Sequence, residues 1–502
     1  MPTWRALPKP KSSCGTAGAS LRAWHPATRA YHLRRAACLA RLGDVGGAER
    51  ERSTAESLSP VTAFDQFLTG QERYERGRWD EALRHFDAAL RHQPNHFWAQ
   101  CLSAICYLQL RRPLEAKAGL NACLNQDPDF AWLYLLRGFA SGQVGAIFAQ
   151  AGGVAAQASN LLGKAEDHFA AAEEDYARAL ELLERKPVAE LRYVLLVNRG
   201  LLRWQRRDLD RAVTDLREAI RLDARLYQAH AGLAQVLRQQ GKPDEAVEQF
   251  TQAIALRPDL APLYRGRAEV YRGHEDLTPA RIEAALRDLD EAVRRESPAN
   301  PVLALDHTNR ARLLGRAGRH AEALAACDAA LRAVPDHADA HRLRIGVLLM
   351  LKRYDDVIAS CDAVLRDRPT AEVFELRGLA KDRRKDFSGA IDDYTQALAQ
   401  HPDQPRLWNR RGWAHLVTNA VQLALEDFDR AIRLDGSNGD TYSGRGSARV
   451  LLGQHRAAVA DAEESLRHGE PNARMYYLAG RIYARHERGC KPGQKDEPAI
   501  SR

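Results

Sequence analysis

Arginine and acid recur along this chain at a set interval, and that spacing is where chemistry would first be sought. Nine arginines form the series: Arg35, Arg137, Arg199, Arg267, Arg310, Arg344, Arg377, Arg411 and Arg445. Seven of them are followed by an acid, giving the pairs Arg35/Glu51, Arg137/Asp175, Arg199/Asp215, Arg267/Asp288, Arg377/Asp393, Arg411/Asp427 and Arg445/Asp461. A guanidinium facing a carboxylate can hold an anion, assist proton transfer or fix how two helices pack. Catalysis would require a cleft and a nucleophile beside each pair, and the sequence offers neither, so the pairs are expected to be structural. Histidine and cysteine add no reactive centre. His230, His307 and His341 read as flat rings packed on neighbouring helices. His85, His92 and His96 have no Asp, Glu or Cys at ligand spacing, so no metal is expected. Eight cysteines without a C-x-x-C pair give neither a zinc framework nor a dense disulfide scaffold. Cys123, Cys327 and Cys361 read as small core residues. A Gly-rich nucleotide loop, a V-A-I-K-like strand, an H-R-D-like loop and a D-F-G triplet are all missing from the sequence, and no cofactor is expected.

The elements that position these residues follow a longer period. Pro60, Pro94 and Pro128 lie 34 residues apart, and Ala48, Ala82 and Ala116 keep the same beat, as do Ala390, Ala424 and Ala458. Aligned on these marks, the chain contains twelve units starting at residues 29, 63, 97, 131, 193, 227, 261, 304, 338, 371, 405 and 439, with a half unit from Ala473. Each unit reads as two helices. The first carries a small residue at unit position 8; the second reads A-x3-(large apolar)-x2-A before a proline or polar break, as in "DEALRHFDAALRHQP". Small residues at fixed points let helix axes approach, and Phe86, Tyr176, Phe250, Tyr394 and Phe428 at position 24 fill the space between neighbours. The arginine series sits at position 7 and its acid at position 23. Units without the arginine carry Thr69, Ser103 or Leu233 instead, and their position 23 is His85, Gly119 or Gln249. Joint presence and joint absence predict contact between the two helices of a unit. The ninth unit has Ile345, Val357 and Val364 where small residues belong, which predicts wider helix spacing there.

These units resemble tetratricopeptide repeats over roughly residues 29 to 488. The resemblance implies an all-α, right-handed superhelical solenoid of about twelve helical hairpins plus a final helix. Phrases such as "HFWAQCLSAICYLQL", "FAWLYLLRGFASGQVGA" and "LAPLYRGRAEV" are also similar to the long arrays that follow serine/threonine kinase domains in planctomycete-type bacterial proteins. With the kinase motifs missing, only the array carries over.

The same resemblance places positions 2, 5, 9 and 12 of each first helix, with 13 beside them, on a concave groove. In units two to five this stripe shows Phe64, Phe67, Tyr74, Trp98, Ile105, Leu108, Trp132, Leu135, Phe139, Leu201 and Trp204. Phe64, Trp98 and Trp132 share position 2 and are expected to stack as a ridge. In units six to nine the stripe turns basic, with Arg238, Arg265, Arg272, Arg312, Arg316 and Arg342 against Glu269 and Asp339. An apolar shelf running into an arginine strip complements a protein or peptide ligand with apolar anchors and acidic residues. The carboxylate clamp of the Hsp90/Hsp70 type is not reproduced: Asn198 and Asn309 fall at position 6, but the preceding units offer Leu135 and Phe139, or Arg265 and Glu269, where Lys and Asn are needed.

Charge and composition agree with a scaffold. The 502 residues carry a net charge of +8, yet four basic and no acidic residues lie in 1–28, and seven basic against three acidic in 473–502. The array between is neutral, and its aromatic and basic regions are separated rather than interleaved. Nucleic-acid binding through the arginine strip is therefore the weaker alternative. No apolar run approaches the roughly 18 to 20 residues that span a bilayer, so no membrane association is expected and a cytoplasmic location is. The chain is read as a basic, mostly disordered segment over 1–28; units one to four over 29–192; units five to twelve with a terminal helix over 193–488; and a disordered tail over 489–502. An insertion at about 142–169 predicts two longer helices joined by a flexible tip. A non-catalytic protein-binding scaffold is the expected function. The alternative is the regulatory or substrate-recruiting region of a serine/threonine kinase whose catalytic domain is missing or separate.

Overall fold

The computed structural model describes residues 28–152, 158–274, 276–468 and 478–484. The readings for residues 1–27 and 489–502, and the tip of the insertion at 153–157, lie outside these. Two compact units divide the chain at residues 274 and 275. The first holds α1 (Arg29–Arg41), α2 (Val45–Ser57), α3 (Ala63–Glu75), α4 (Trp79–His92), α5 (Phe97–Gln109), α6 (Pro113–Gln126), α7 (Ala131–Gly152), α8 (Ala158–Arg185), α9 (Ala189–Gln205), α10 (Leu209–Leu222), α11 (Tyr227–Gln239), α12 (Pro243–Leu256) and α13 (Ala261–Arg272). The second holds α14 (Pro279–Arg295), α15 (Val302–Arg316), α16 (His320–Ala333), α17 (Ala338–Met350), α18 (Tyr354–Asp367), α19 (Ala371–Arg383), α20 (Phe387–Gln400), α21 (Pro405–Val417), α22 (Val421–Leu434), α23 (Gly439–Leu451) and α24 (His455–His468). No strand occurs among the described residues. Within each unit successive helices pack as hairpins, and each hairpin packs on the next.

One turn design closes the hairpins. Position 15 of the repeat has a left-handed backbone at Gly43, Gly77, Gly241, Gly318 and Gly453, with φ from +73° to +83°. The N–H of the following residue then reaches back to the carbonyl five residues earlier, as Arg78 does to Arg73 at 2.9 Å and Gln454 to Arg449 at 2.8 Å. This bond satisfies a carbonyl that the ending helix would leave unpaired. Arg111, Arg207, Lys352, Lys385 and Asn419 occupy the same position with φ of +56° to +67°, and a side chain there is strained.

The first helix of a hairpin is fixed by three consecutive residues. At position 8 a Cβ added to Gly70 would lie 2.7 Å from the Phe86 ring, and one on Gly378 or Gly412 would lie 2.9 Å from Tyr394 or Phe428. Each of these rings sits 16 residues ahead in its own hairpin. Position 6 meets the ring of the preceding hairpin, 16 residues behind: a Cβ on Gly266 would lie 2.5 Å from Phe250, and Gly444 presses on Phe428 in the same way. Phe428 is fully buried between Gly412 and Gly444.

Between these two contacts, the arginine at position 7 reaches in both directions. Arg411 donates to Asp427 at 2.7 Å ahead and to Thr395 Oγ1 at 3.0 Å behind. Arg445 meets Asp461 at 2.7 Å and Asp429 at 2.9 Å, and Arg377 meets Asp393 and Asp362, both at 2.5 Å. Arg137 donates to Asp175 at 2.6 Å and to Asn121 at 2.9 Å. Arg199 meets Asp215 at 2.6 Å, while Arg35 meets Glu51 at 3.1 Å in competition with His32 at 2.7 Å. Of the remaining members, Arg267 donates to Thr251 at 2.9 Å and Asp288 is buried. Arg310 meets Asp290 at 2.8 Å and Arg344 meets Asp328 at 2.7 Å. The backward acceptor at position 25 is the half of the arrangement that the sequence reading lacked. Position 11 supplies a second cation to the same acid: Arg203 at 2.8 Å from Asp215, Lys381 at 2.9 Å from Asp393 and Arg449 at 2.8 Å from Asp461.

Burial holds the Asp175 and Asp461 carboxyls above the usual carboxylate range even beside their guanidinium partners. At these two acids desolvation outweighs the attraction, as expected of buried pairs that fix register more than they add stability.

At the ninth hairpin a cleft of about 400 Å³ opens among α17, the end of α18 and the start of α19. Ile345 and Val364, bulkier than the small residues usual at their positions, line it.

Two outcomes follow. Asp427→Ala strands the Arg411 charge and lowers stability by about 3 to 5 kcal/mol, whereas Arg411→Met with Asp427→Leu stays near wild type; urea unfolding of the two variants measures both, and equal losses would refute the register role. Lys385→Gly removes a left-handed strain of about 1 kcal/mol, part of which the freer unfolded chain takes back, so its urea midpoint rises or stays level and does not fall.

Candidate functional site

With positions 6 to 8 of each first helix spent on packing, the residues at 2, 5, 9 and 12 lie on another part of its circumference. In the first unit Phe64 is 37 % exposed, with the Arg34 guanidinium 4.6 Å from its ring centre. Phe67 stacks obliquely on His96 at 4.6 Å and on Phe86 at 6.0 Å. Trp98, Phe139, Leu201 and Trp204 are half-buried, while Leu135 is fully buried and Trp132 only 4 % exposed. The expected ridge of position-2 rings takes a different form. Phe130, in the turn before α7, stands edge-on to Trp98 at 6.4 Å and lies 5.6 Å from Trp132. Phe97 in turn stacks on Phe130 at 6.3 Å. Trp98 and Trp132 are thus linked through Phe130, and Trp132 belongs to the core.

The basic positions differ in freedom. Arg238 is exposed and donates to Gln235 at 3.2 Å; Arg265 and Arg272 are half-buried. In the second unit Arg312 donates to Asn309 at 3.1 Å, Arg316 is exposed, and Arg342 is exposed but paired with Asp339 at 2.7 Å one helical turn away.

Two features escaped the sequence reading. Along α19, α21 and α23 the same stripe forms a polar ladder: Arg406 meets Glu375 at 2.8 Å, and Asp440 accepts from Asn409 at 3.0 Å and from the Trp413 indole at 2.9 Å. These are stripe positions 5, 2 and 9, so the spacing was present, but the side chains are of mixed sign and polarity and gave no net signal. The second is a cleft of about 320 Å³ in the first unit, where Leu108, Phe139 and Leu201 of the stripe meet the lengthened α7.

No cluster of three or more metal-ligating side chains is found among the described residues, and no described helix is long and apolar enough to cross a membrane. His230 is buried, with Gln249 at 2.8 Å and the Ala224 carbonyl at 3.2 Å from its two ring nitrogens. Buried thiols are held far from reactivity: burial pushes Cys327 and Cys361 up to about 12.

Comparison with known proteins follows the same lines. Models described as tetratricopeptide repeat match residues 73–137, 197–261, 308–372 and 376–439, together a little over half the chain. A U-box domain-containing protein 70 of Oryza sativa subsp. japonica is 27 % identical over 228 residues, 45 % of this chain and 27 % of its own length. An Hsp70-Hsp90 organizing protein 3 of Arabidopsis thaliana is 25 % identical over 231 residues, 45 % of this chain and 40 % of its own. The chain thus spans less than half the length of either relative. Among solved structures, MamA from Desulfovibrio magneticus RS-1 is 26 % identical, with 35 % of this chain and 96 % of that one covered at a TM-score of 0.31.

The histidines carry a pH consequence. Burial, the leading cause, pushes His307 and His415 below the ordinary 6.5, and Arg310 lowers His307 further against the opposing Asp306. A group that protonates more readily unfolded than folded loses stability as pH falls through 6.5 towards its folded value. The thermal midpoint should therefore drop between pH 7 and pH 5, and drop less in His307→Phe with His415→Phe; identical pH slopes would refute the assignment.

Proposed function

The chain belongs to the tetratricopeptide-repeat superfamily, and from that premise we propose that it is a non-catalytic scaffold whose 2-5-9-12 stripe forms a concave groove for protein or peptide partners. On the first compact unit a partner offers aromatic or aliphatic anchors to the shelf around Phe64, Trp98 and Trp204 and acidic residues to Arg238, Arg265 and Arg272; on the second, acidic residues suit Arg312, Arg316 and Arg342. One observation carries this reading most: helices whose other positions are consumed by hairpin packing keep Phe64 exposed and Trp98, Phe139 and Trp204 half-buried. Open aromatic surface of this kind is unfavourable in water unless a ligand covers it, and aromatic and arginine side chains dominate binding energy at interfaces. Among the relatives, the Arabidopsis protein is named as an organiser of Hsp70 and Hsp90. This chain has Leu135 and Phe139 where a carboxylate clamp needs Lys and Asn, so its ligand is chemically different.

The reading is tested by titrating a panel of synthetic 15-residue peptides with paired acidic and basic, aromatic and aromatic-free versions. Acidic peptides with aromatic anchors should bind, and Trp98→Ala and Arg238→Glu, both in the first compact unit, should each weaken them at least tenfold. Equal binding by the basic versions, or tight binding of a single-stranded oligonucleotide in their place, would overturn it.

A further inference from the structure

The fourth hairpin departs from the repeat in a way that builds something. Its first helix, α7, has 22 residues where α3 and α5 have 13. A helix of ordinary length would end at Gln143; α7 runs on for nine more residues, about 13 Å at 1.5 Å each. The continuation is held in place on α8, where Phe148 stacks on His168 at 5.6 Å with rings 4° from parallel, and a Cβ on Gly145 would lie 2.6 Å from the Phe169 ring. α8 is in turn tied to α9 by Arg203 on Glu173 at 3.0 Å and by an ion pair between Arg206 and Glu166. The extra turns of α7 are therefore a fixed wall.

That wall forms one side of the 320 Å³ cleft. Ile147, helical only because α7 continues, lines it together with Leu108, Phe139 and Leu201 of the stripe. The volume is at the small end of ligand pockets, which run from about 300 to 1,000 Å³. Asn198 of α9 lines the same cleft; it is 4 % exposed, and its Nδ2 has no hydrogen-bond partner. A buried amide N–H without a partner costs about 1 to 3 kcal/mol, and an apolar side chain of similar shape would avoid that cost. Among the described residues that line the cleft, the one charged residue is Arg111, exposed at the α5–α6 turn.

We infer that the lengthened fourth hairpin makes an open-sided anchor pocket in the groove, for a peptide segment that inserts one aliphatic or aromatic side chain. A backbone carbonyl of that segment accepts from Asn198 Nδ2, and an acidic residue beside the anchor faces Arg111. The inference rests on the groove reading above and sharpens it to one subsite.

The test is selection of a random 12-residue display library on the full chain, with the enriched peptides titrated against variants. Enriched sequences should pair Leu, Ile or Phe with a nearby Asp or Glu. Asn198→Leu should weaken them at least tenfold while leaving the thermal midpoint level or higher, an outcome that a structural role for Asn198 would not give. Ala146→Trp, which fills the cleft, and Ile147→Asp, on a residue 54 % exposed, should weaken them as strongly without unfolding the chain. Binding lost in Trp98→Ala but unchanged in all three cleft variants would overturn the pocket and leave the groove standing. Binding unchanged in all four, or no enrichment at all, would overturn both.

Discussion

The structure depends on one contact, the insertion of the position-24 side chain between two first helices. It lies against position 8 of its own hairpin and position 6 of the next, each 16 residues away, as Phe428 does against Gly412 and Gly444. A ring held on both sides by backbone fixes the distance between hairpins, because neither glycine has a side chain that can move aside. Position 7 falls between these two contacts and is directed at both second helices. A long, forked, always charged side chain suits that place, since its guanidinium can donate to two acceptors at once. The arginine series is thus a consequence of the packing seam.

From this constraint the division of labour on the first helix follows. Positions 6, 7 and 8 are committed to neighbours, and the stripe at 2, 5, 9 and 12 is left to vary from repeat to repeat. It is a ring shelf on α3, α5 and α9, arginine on α11, α15 and α17, and a polar ladder on α19, α21 and α23. In one hairpin an altered seam coincides with an opening. In the ninth hairpin Cys361 replaces the ring, Ile345 replaces the small residue, and a cleft opens beside α17. In the fourth hairpin the seam is intact, with Tyr176 fully buried against Gly138, and it is the extra length of α7 that shapes the surface.

How much of this was legible in the sequence depended on how narrowly each contact restricts residue type. Position 8 admits little beyond Gly or Ala, and the acid at position 23 must balance a buried charge, so both were readable from spacing alone. The backward acceptor at position 25 was hidden because Asn121, Thr251, Asp290, Asp328, Asp362, Thr395 and Asp429 all serve it: any oxygen accepts from a guanidinium. Phe130 was missed because it lies in a turn, outside the helical period that exposed the stripe. Trp132 was assigned to the groove by its position, and its burial depends on Phe130 and the bend of the chain before α7. The cleft could not be read, because the insertion breaks the period from which every other position was counted.

In the proposed function these helices present the stripe, and not another face, to a partner. Hydrogen–deuterium exchange of the full chain, with and without a saturating display-selected peptide, tests it most directly. Slowed exchange is expected in α5, α7 and α9, strongest in the last turns of α7 and near Asn198, with the second helices α6 and α10 unchanged. Slowed exchange confined to the second helices, or spread evenly over both helices of each hairpin, would contradict it.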